Sequence, residues 1–324
     1  MKVPRQRSII KCKMVAICIF ILLIVIISWF ALPHKVHTLL LTINNMSAGL
    51  ITKSIDLPFG RVHYLEGGRA RNKAETVILL HGVFARKEHW VDLARELTPH
   101  FHVIALDLPG FGDNDQLSQE HYLLQNQAKN LRSVLTSLGV SKAHFGANSM
   151  GAQIAGLVAV EQPELFQSLA FIGSPLGVKG KVKSDMEIAI ENGHLPLLAR
   201  SESEFNKRNA WLFPITPTLP SPILKTWMQK ETSTPDHNEK IWHADNSFID
   251  TPTLSSLAPQ LEMPTLIIWC KEDRIFHVSG ADILDAKLPN SSRKVLCECG
   301  HLPMLGKPEI VAHLYLVFLH GIGH

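Results

Sequence analysis

Charge is scarce in this chain, and most of it cancels. Charged residues make up 19% of 324, and 32 Lys and Arg stand against 29 Asp and Glu, a net charge of +3. That balance gives no electrostatic footprint for nucleic acid, and the low charge excludes a disordered acidic or basic tail protein. Cysteine is also scarce. There are five, an odd number, without the paired spacing of a zinc site, so no metal site is expected. Cys12 and Cys18 fall in or beside an N-terminal apolar run, which leaves Cys270, Cys297 and Cys299. An exported domain could pair Cys270 with Cys297 or Cys299; free buried thiols are the preferred expectation. Internal repeats and low-complexity tracts are missing, which sets aside solenoids and arrays.

The positive charge that exists is unevenly placed. Residues 1–13 hold Lys2, Arg5, Arg7, Lys11 and Lys13 and no acid, and Met14 to Leu32 then runs without a charge. Nineteen residues at about 1.5 Å each roughly cover the ~30 Å hydrocarbon core of a bilayer. Trp29 and Phe30 sit where an aromatic belt would lie. A cleaved signal peptide would have a shorter core of about 7–15 residues and small residues before the cut. Ser28-Trp29-Phe30-Ala31 does not offer them. The run therefore reads as an uncleaved single-pass anchor over 14–32, with 1–13 as a basic cytoplasmic tail. A connector follows over 33–53, amphipathic from about residue 36. Residues 54–324 form the main domain, facing the periplasm, lumen or exterior.

Hydrophobic residues are 46% of the chain, enough to fill a sizeable core. From residue 75 the pattern turns regular. Strand-like apolar runs at Glu75–Leu80, Phe101–Leu106, Ala143–Gly146, Ser168–Ile172, Thr265–Trp269 and Lys294–Cys297 alternate with helical spacing. The helical segments are Trp90–Leu97, Ser118–Leu138, Met150–Glu161, Gly280–Leu288 and Glu309–Leu319. This alternation predicts a mostly parallel central sheet with helices on both faces, and solid apolar runs suit strands buried on both sides. Residues 178–258 break the rhythm. They hold Trp211, Phe213, Trp227, Trp242 and the prolines 214, 217, 220 and 222, and read as an inserted lid.

Three strand ends carry polar residues that suit nucleophilic catalysis. A serine hydroxyl is a weak nucleophile and needs a base beside it and an acid behind the base. Ser149 lies in Ala147-Asn148-Ser149-Met150-Gly151 between a strand and a helix, the setting of a nucleophile elbow, normally G-x-S-x-G. His301 follows the last strand, within Gly300-His301-Leu302-Pro303, and is the expected base. Trp269-Cys270-Lys271-Glu272-Asp273 follows the preceding strand, so the acid is Glu272 or Asp273, and the spacing before Arg274-Ile275 favours Asp273. An oxyanion needs two N–H donors. Met150 supplies one, and the loop His81-Gly82-Val83-Phe84 supplies the other, through Val83 or else Phe84. His81 is expected to fix that loop through hydrogen bonds. Trp211 and Trp227 are candidates to line an acyl pocket under the lid.

These motifs, together with Asp107-Leu108-Pro109-Gly110-Phe111-Gly112, resemble the α/β-hydrolase family over about residues 56–320. Within it the chain is similar to the membrane-anchored monoacylglycerol lipases of the α/β-hydrolase-domain group and their bacterial relatives. Three departures stand out: Ala147 for glycine, Cys270 for a frequent glycine, and Gly306 where an acid is frequent. The resemblance implies cleavage of carboxylic esters, such as monoacylglycerols or other short or single-chain lipid esters, through an acyl-enzyme and without metal or organic cofactor. The alternatives are a carbon–carbon or amide hydrolase on the same triad, or a non-catalytic scaffold. The expected partners are a small lipid or ester substrate and the membrane.

Overall fold

The computed structural model describes residues 4–247 and 251–322. Its centre is an eight-stranded sheet in the order β1-β2-β4-β3-β5-β6-β7-β8. The strands are β1 (Leu50–Leu57), β2 (Gly60–Gly68), β3 (Thr76–Leu80), β4 (His102–Leu106), β5 (Ala143–Ser149), β6 (Phe166–Pro175), β7 (Thr265–Cys270) and β8 (Ser291–Leu296). β3 to β8 run parallel, while β2 is antiparallel to both β1 and β4.

The helices are α1 (Pro4–Ala31), α2 (Pro33–Ser47), α3 (Val91–Leu97), α4 (Leu124–Ser137), α5 (Met150–Glu161), α6 (Asp185–Glu191), α7 (Glu202–Leu212), α8 (Ser221–Thr232), α9 (Pro235–Asp245), α10 (Leu254–Leu257), α11 (Ser279–Lys287), α12 (Pro303–Gly306) and α13 (Pro308–Ile322). Successive side chains of a strand point to opposite faces, and the core divides accordingly. Ile78, Leu80, Ile104, Leu106, Phe145 and Phe171 join one cluster with the buried faces of α4 and α5. Their neighbours Val77, Leu79, Val103, Ala105, Ala170 and Ile172 join the other, with α3 and α13. Each large side chain so buried contributes about 1.5–3 kcal/mol.

Three local expectations are corrected. The connector 33–53 ends in structure: α2 starts at Pro33, and β1 begins at Leu50 and pairs along its length with β2. This edge hairpin escaped the apolar-run reading because β1 is mostly exposed, buried fully only at Leu50. The single helix over 118–138 is two pieces, a 3₁₀ turn at Gln119–Tyr122 and then α4. Leu123 between them is extended, at φ −60° and ψ 135°. Side-chain amides take the carbonyls there, Asn126 at 2.7 Å from Glu120 O and Gln127 at 2.9 Å from His121 O, in competition with helix continuation. The third correction concerns thiols. Cys270 and Cys299 form a disulfide, and Cys18 and Cys297 are free and exposed. Parallel pairing of β7 with β8 sets Cys270 opposite Leu296 and brings the two Cα atoms to 5.4 Å, inside the range a disulfide spans.

Between β6 and β7 the described residues form five α-helices, α6 to α10, and no strand. At the other end, Lys13–Ala31 of α1 is long and apolar enough to cross a membrane and is not buried against the domain.

Candidate active site

The site is assembled at the carboxyl ends of β5, β6, β7 and β8. β5 turns into α5 at Ser149, whose φ is 53° and ψ −119°. A non-glycine residue held there costs about 1–3 kcal/mol, a cost the packing around it must offset. The turn is possible because Gly151 has no side chain: a Cβ would lie 2.5 Å from His81 O and 2.8 Å from Leu80 O. Gly82 approaches from the other side, where a Cβ would lie 2.9 Å from that of Ser149. Ala147, by contrast, is a fully buried strand residue in the β-sheet core, and its methyl is accommodated there.

Asp273 and His301 meet behind Ser149. Asp273 Oδ2 lies 3.2 Å from His301 Nδ1, and Oδ1 accepts from the N–H groups of Ile275 at 2.8 Å and Phe276 at 3.2 Å. The neighbouring Glu272 is exposed, while Asp273 is 5% exposed. Of the two acids open in the sequence, the geometry brings Asp273 to the histidine. The disulfide joins the loops that carry them, since Cys270 ends β7 three residues before Asp273 and Cys299 stands two before His301.

Asn148 ties the His301 loop to the Ser149 turn. Its Nδ2 donates to Ile172 O at 2.9 Å and to His301 O at 3.1 Å. The His301 N–H donates to Leu212 O at the end of α7, at 2.9 Å. Gly300 permits that approach, because a Cβ there would sit 2.3 Å from Leu212 O.

One polar residue was not foreseen. Ser174, fully buried near the end of β6, places Oγ 2.5 Å from Asp273 Oδ2 and 2.8 Å from His301 Nδ1. The hydroxyl therefore donates to the carboxylate and sits against the same imidazole nitrogen. Its sequence signal was weak: a lone serine near the end of an apolar strand.

Ser149 and His301 line one recess, together with Gly82, Val83, Phe84 and Leu302. Phe84 is also in the left-handed region, at φ 54°. Met150 is the first residue of α5, where a helix leaves the N–H without an internal acceptor. His81 holds the loop opposite. Leu108 N–H donates to its Nε2 at 3.0 Å, so the ring proton is on Nδ1, which donates to Gly82 O at 2.7 Å. Burial lowers its pKa to about 4, keeping the ring neutral.

The structure separates the two tryptophans. Trp211 packs with Met186, Leu197, Leu198, Trp242 and Ile275, with the Arg274 guanidinium 4.3 Å over its ring. It does not line the Ser149 recess. Trp227 lines an adjoining chamber of the helical insertion. The recess is instead lined from the insertion by Leu197, Arg208 and Leu212.

The fold agrees with what the chain is similar to: residues 75–308 match the model of the alpha/beta hydrolase fold family, and the chain belongs to it. Within that family it is a lipase- and esterase-like enzyme, a carboxylic ester hydrolase. It is 26% identical to the monoacylglycerol lipase abhd6-B of Xenopus laevis, over 80% of this chain and 79% of that protein. Lipase 1 of Psychrobacter immobilis is 27% identical, over 82% of this chain and 83% of its own length. Among solved structures, a bacterial membrane phospholipase A superposes with a TM-score of 0.87 at 32% identity, covering 96% of this chain and 99% of that one.

Proposed function

We propose that this chain is a membrane-anchored serine hydrolase that cleaves single-chain lipid esters, monoacylglycerols among them, through an acyl-enzyme. The observation that carries the reading is the strained Ser149 elbow opening into a recess shared with His301, whose Nδ1 rests on Asp273. His301 takes the Ser149 proton as the hydroxyl oxygen attacks the ester carbonyl. Asp273 keeps the ring proton on Nδ1, leaving Nε2 free to act, and stabilises the imidazolium that forms. The N–H groups of Met150 and Val83 hold the developing oxyanion, and Phe84 flanks Val83 in the same loop. His301 then protonates the leaving alcohol, and later draws a proton from the water that releases the acid.

The lipid substrate is supported by the names of the relatives and by the apolar segment Lys13–Ala31. The basic residues ahead of that segment favour a cytoplasmic N-terminus. The disulfide favours a domain on the oxidising side of the membrane. The domain reading keeps 1–13 as tail, 14–32 as anchor and the catalytic domain after them, with α6 to α10 as a lid over Ser149.

The test is a substrate panel on the detergent-solubilised full chain: 1-monoacylglycerols from acetyl to palmitoyl, matched fatty-acid amides and β-diketones, with Ser149→Ala as the control. The expected result is a rise in kcat/KM with acyl length up to a maximum, and loss of all turnover in the variant. A panel in which amides or carbon–carbon substrates turn over and the esters do not would overturn the reading.

A further inference from the structure

The turn that carries Val83 and Phe84 is strained and has to be held from outside. Ala85 N–H donates to Gly82 O at 3.3 Å, which makes Val83 and Phe84 the two central residues of the turn. Phe84 stands at φ 54°, in the left-handed region. A non-glycine residue held there costs about 1–3 kcal/mol and persists only where its surroundings fix it. Both ends of the turn are fixed to one neighbour, the loop 107–114 that follows β4. At the front, His81 Nε2 accepts from Leu108 N–H at 3.0 Å. At the back, Lys87 N–H donates to Asp107 Oδ1 at 2.8 Å.

Lys87 makes the back anchor a charged one. Its side chain is fully buried. Nζ donates to Asp107 Oδ2 at 2.8 Å and to Asp113 Oδ2 at 2.5 Å, and Glu88 Oε1 lies 3.0 Å away. The three donors of the ammonium thus meet three carboxyl groups. Burial by itself lowers the pKa of Lys87, but Asp107, Glu88 and Asp113 outweigh it and hold the ammonium charged. Asp107 is buried as deeply as Lys87, and its Oδ2 also accepts from Asp113 N–H at 2.9 Å. Gly112 makes room for that carboxylate, since a Cβ there would sit 2.0 Å from Asp107 Oδ1. Asn114 ties the same loop together, with Nδ2 donating to Asp107 O at 3.1 Å and to Leu108 O at 2.9 Å.

Stability alone does not account for this cluster. Taking an ion pair into the interior costs several kcal/mol per ion, and well-packed apolar residues of the same volume often serve the fold as well or better. An apolar pair lacks direction, however. Here the backbone N–H and the ammonium of one residue grip the same carboxylate, so both the place and the orientation of the turn's end are set.

We propose that Lys87 is a positioning residue for ester hydrolysis: clamped by Asp107 and Asp113, it holds the turn so that the Val83 N–H points at the oxyanion formed on Ser149. The proposal rests on the ester-hydrolase reading and adds to it a residue that does not touch substrate. Gly82, Val83, Phe84 and Ala85 line the Ser149 recess, and Lys87 does not. A donor fixed in advance needs no reorganisation as the charge develops, and a displacement of about 1 Å can cost about 100-fold in rate.

The experiment measures kcat and KM for 1-lauroylglycerol, the kcat–pH profile, and the affinity of a trifluoromethyl ketone of the same chain length, whose adduct with Ser149 carries an oxyanion. The full chain in detergent is compared with Lys87→Met, Lys87→Met/Asp107→Asn and Asp113→Asn. Lys87→Met leaves Asp107 buried without its cation, whereas the double variant removes both charges. In the folded Lys87 variants kcat is expected to fall about ten- to hundredfold, with KM little changed. Ketone affinity should weaken by the same factor as kcat/KM, and the acid limb of the pH profile should stay in place, because Asp273 and His301 are untouched. The Asp113 side chain is 43% exposed, and Asp113→Asn should show the same pattern at about threefold, the scale of a partly exposed ion pair. Unchanged kcat and ketone affinity in a folded Lys87 variant overturn the proposal. So does a loss of kcat with the ketone bound as tightly as before, a change confined to KM, or a displaced acid limb, which assigns the loss to the triad. If neither Lys87 variant folds by circular dichroism, Asp113→Asn decides, and unchanged ketone affinity there overturns the role. If the parent cleaves no ester, the ester reading fails by itself, and the ketone affinities, which need no turnover, decide the positioning role on the same terms.

Discussion

Asp273 spends all of its acceptor capacity on fixed partners: two backbone N–H groups on one oxygen, Ser174 and His301 on the other. Asp273→Asn removes the charge and favours the wrong imidazole tautomer, so kcat is expected to fall by orders of magnitude, as in the ~10⁴ loss of a serine protease. Glu272→Gln, on an exposed side chain, should leave kcat within about twofold, since exposed charges interact weakly. Ser174 acts through those two residues and is a positioning residue. Ser174→Ala should lower kcat by about tenfold, the size of one lost buried hydrogen bond, with KM little changed and the acid limb of the kcat–pH profile displaced. An unchanged pH profile would reduce Ser174 to packing. Neutral buried histidines add a stability signature. His81 titrates at about 4 when folded and at 6.5 when unfolded, so below pH 6.5 the unfolded chain binds more protons. Its contribution is complete above 6.5 and is lost as pH falls towards 4. Such a shift corresponds to about 3 kcal/mol. His89 and His144, also lowered first by burial, act with the same sign. Urea unfolding at pH 7 and pH 4.5 in detergent checks this, and equal midpoints would contradict it.

At the scale of elements, the disulfide and the helical insertion are the parts that hold and cover the site. The Cys270–Cys299 link closes a loop between residues 29 apart, worth about 3.5 kcal/mol in the chain-entropy model. A Cys270→Ala/Cys299→Ser double variant should therefore show a lower Tm and a kcat reduced more than KM is changed, because the loops carrying Asp273 and His301 lose their tether. Equal activity and Tm in the variant would assign the link no role. In α9, Asp245 is buried with one carboxylate oxygen unpaired, and burial raises its pKa to about 8. A raised acid pKa makes the fold less stable as pH climbs from the ordinary carboxylate range towards 8. Asp245→Asn should raise the Tm at pH 8 more than at pH 5, by thermal unfolding monitored at both. The elements differ in how visible they were in the sequence. β3, β4, β5, β6 and β7 were legible because burial on both faces demands unbroken apolar runs. The β1–β2 hairpin was not, because an edge strand with an exposed face carries no such run. Helix breaks set by side-chain amides, as at Leu123, are equally invisible to periodicity.

For the whole molecule, the sheet supplies the frame and local order decides the site. That Ser149, Asp273 and His301 lie at one edge of the sheet was readable from their strand-end positions, because a parallel sheet delivers its carboxyl ends to one edge. Asn148, Ser174 and the disulfide were not, since their roles depend on which loops meet in space rather than on spacing along the chain. Trp211 was misplaced for the same reason: its apolar bulk is spent on the insertion's own core. Beyond the domain, the apolar span Lys13–Ala31 of α1 is not buried, although Trp29 near its end donates Nε1 to Ser221 Oγ of α8 at 2.9 Å, and α2 packs against α8. An integral anchor should keep the protein in membranes through alkaline carbonate washing, with the catalytic domain open to protease added outside. Release of active enzyme with an N-terminus near residue 30 would contradict the anchor. The central claim is the nucleophile, and one measurement addresses it directly: fluorophosphonate labelling of the purified full chain, followed by peptide mass mapping. A single adduct on Ser149, lost in Ser149→Ala along with ester hydrolysis, is the predicted result; an adduct on a different serine, or undiminished hydrolysis by pure Ser149→Ala, would contradict the account.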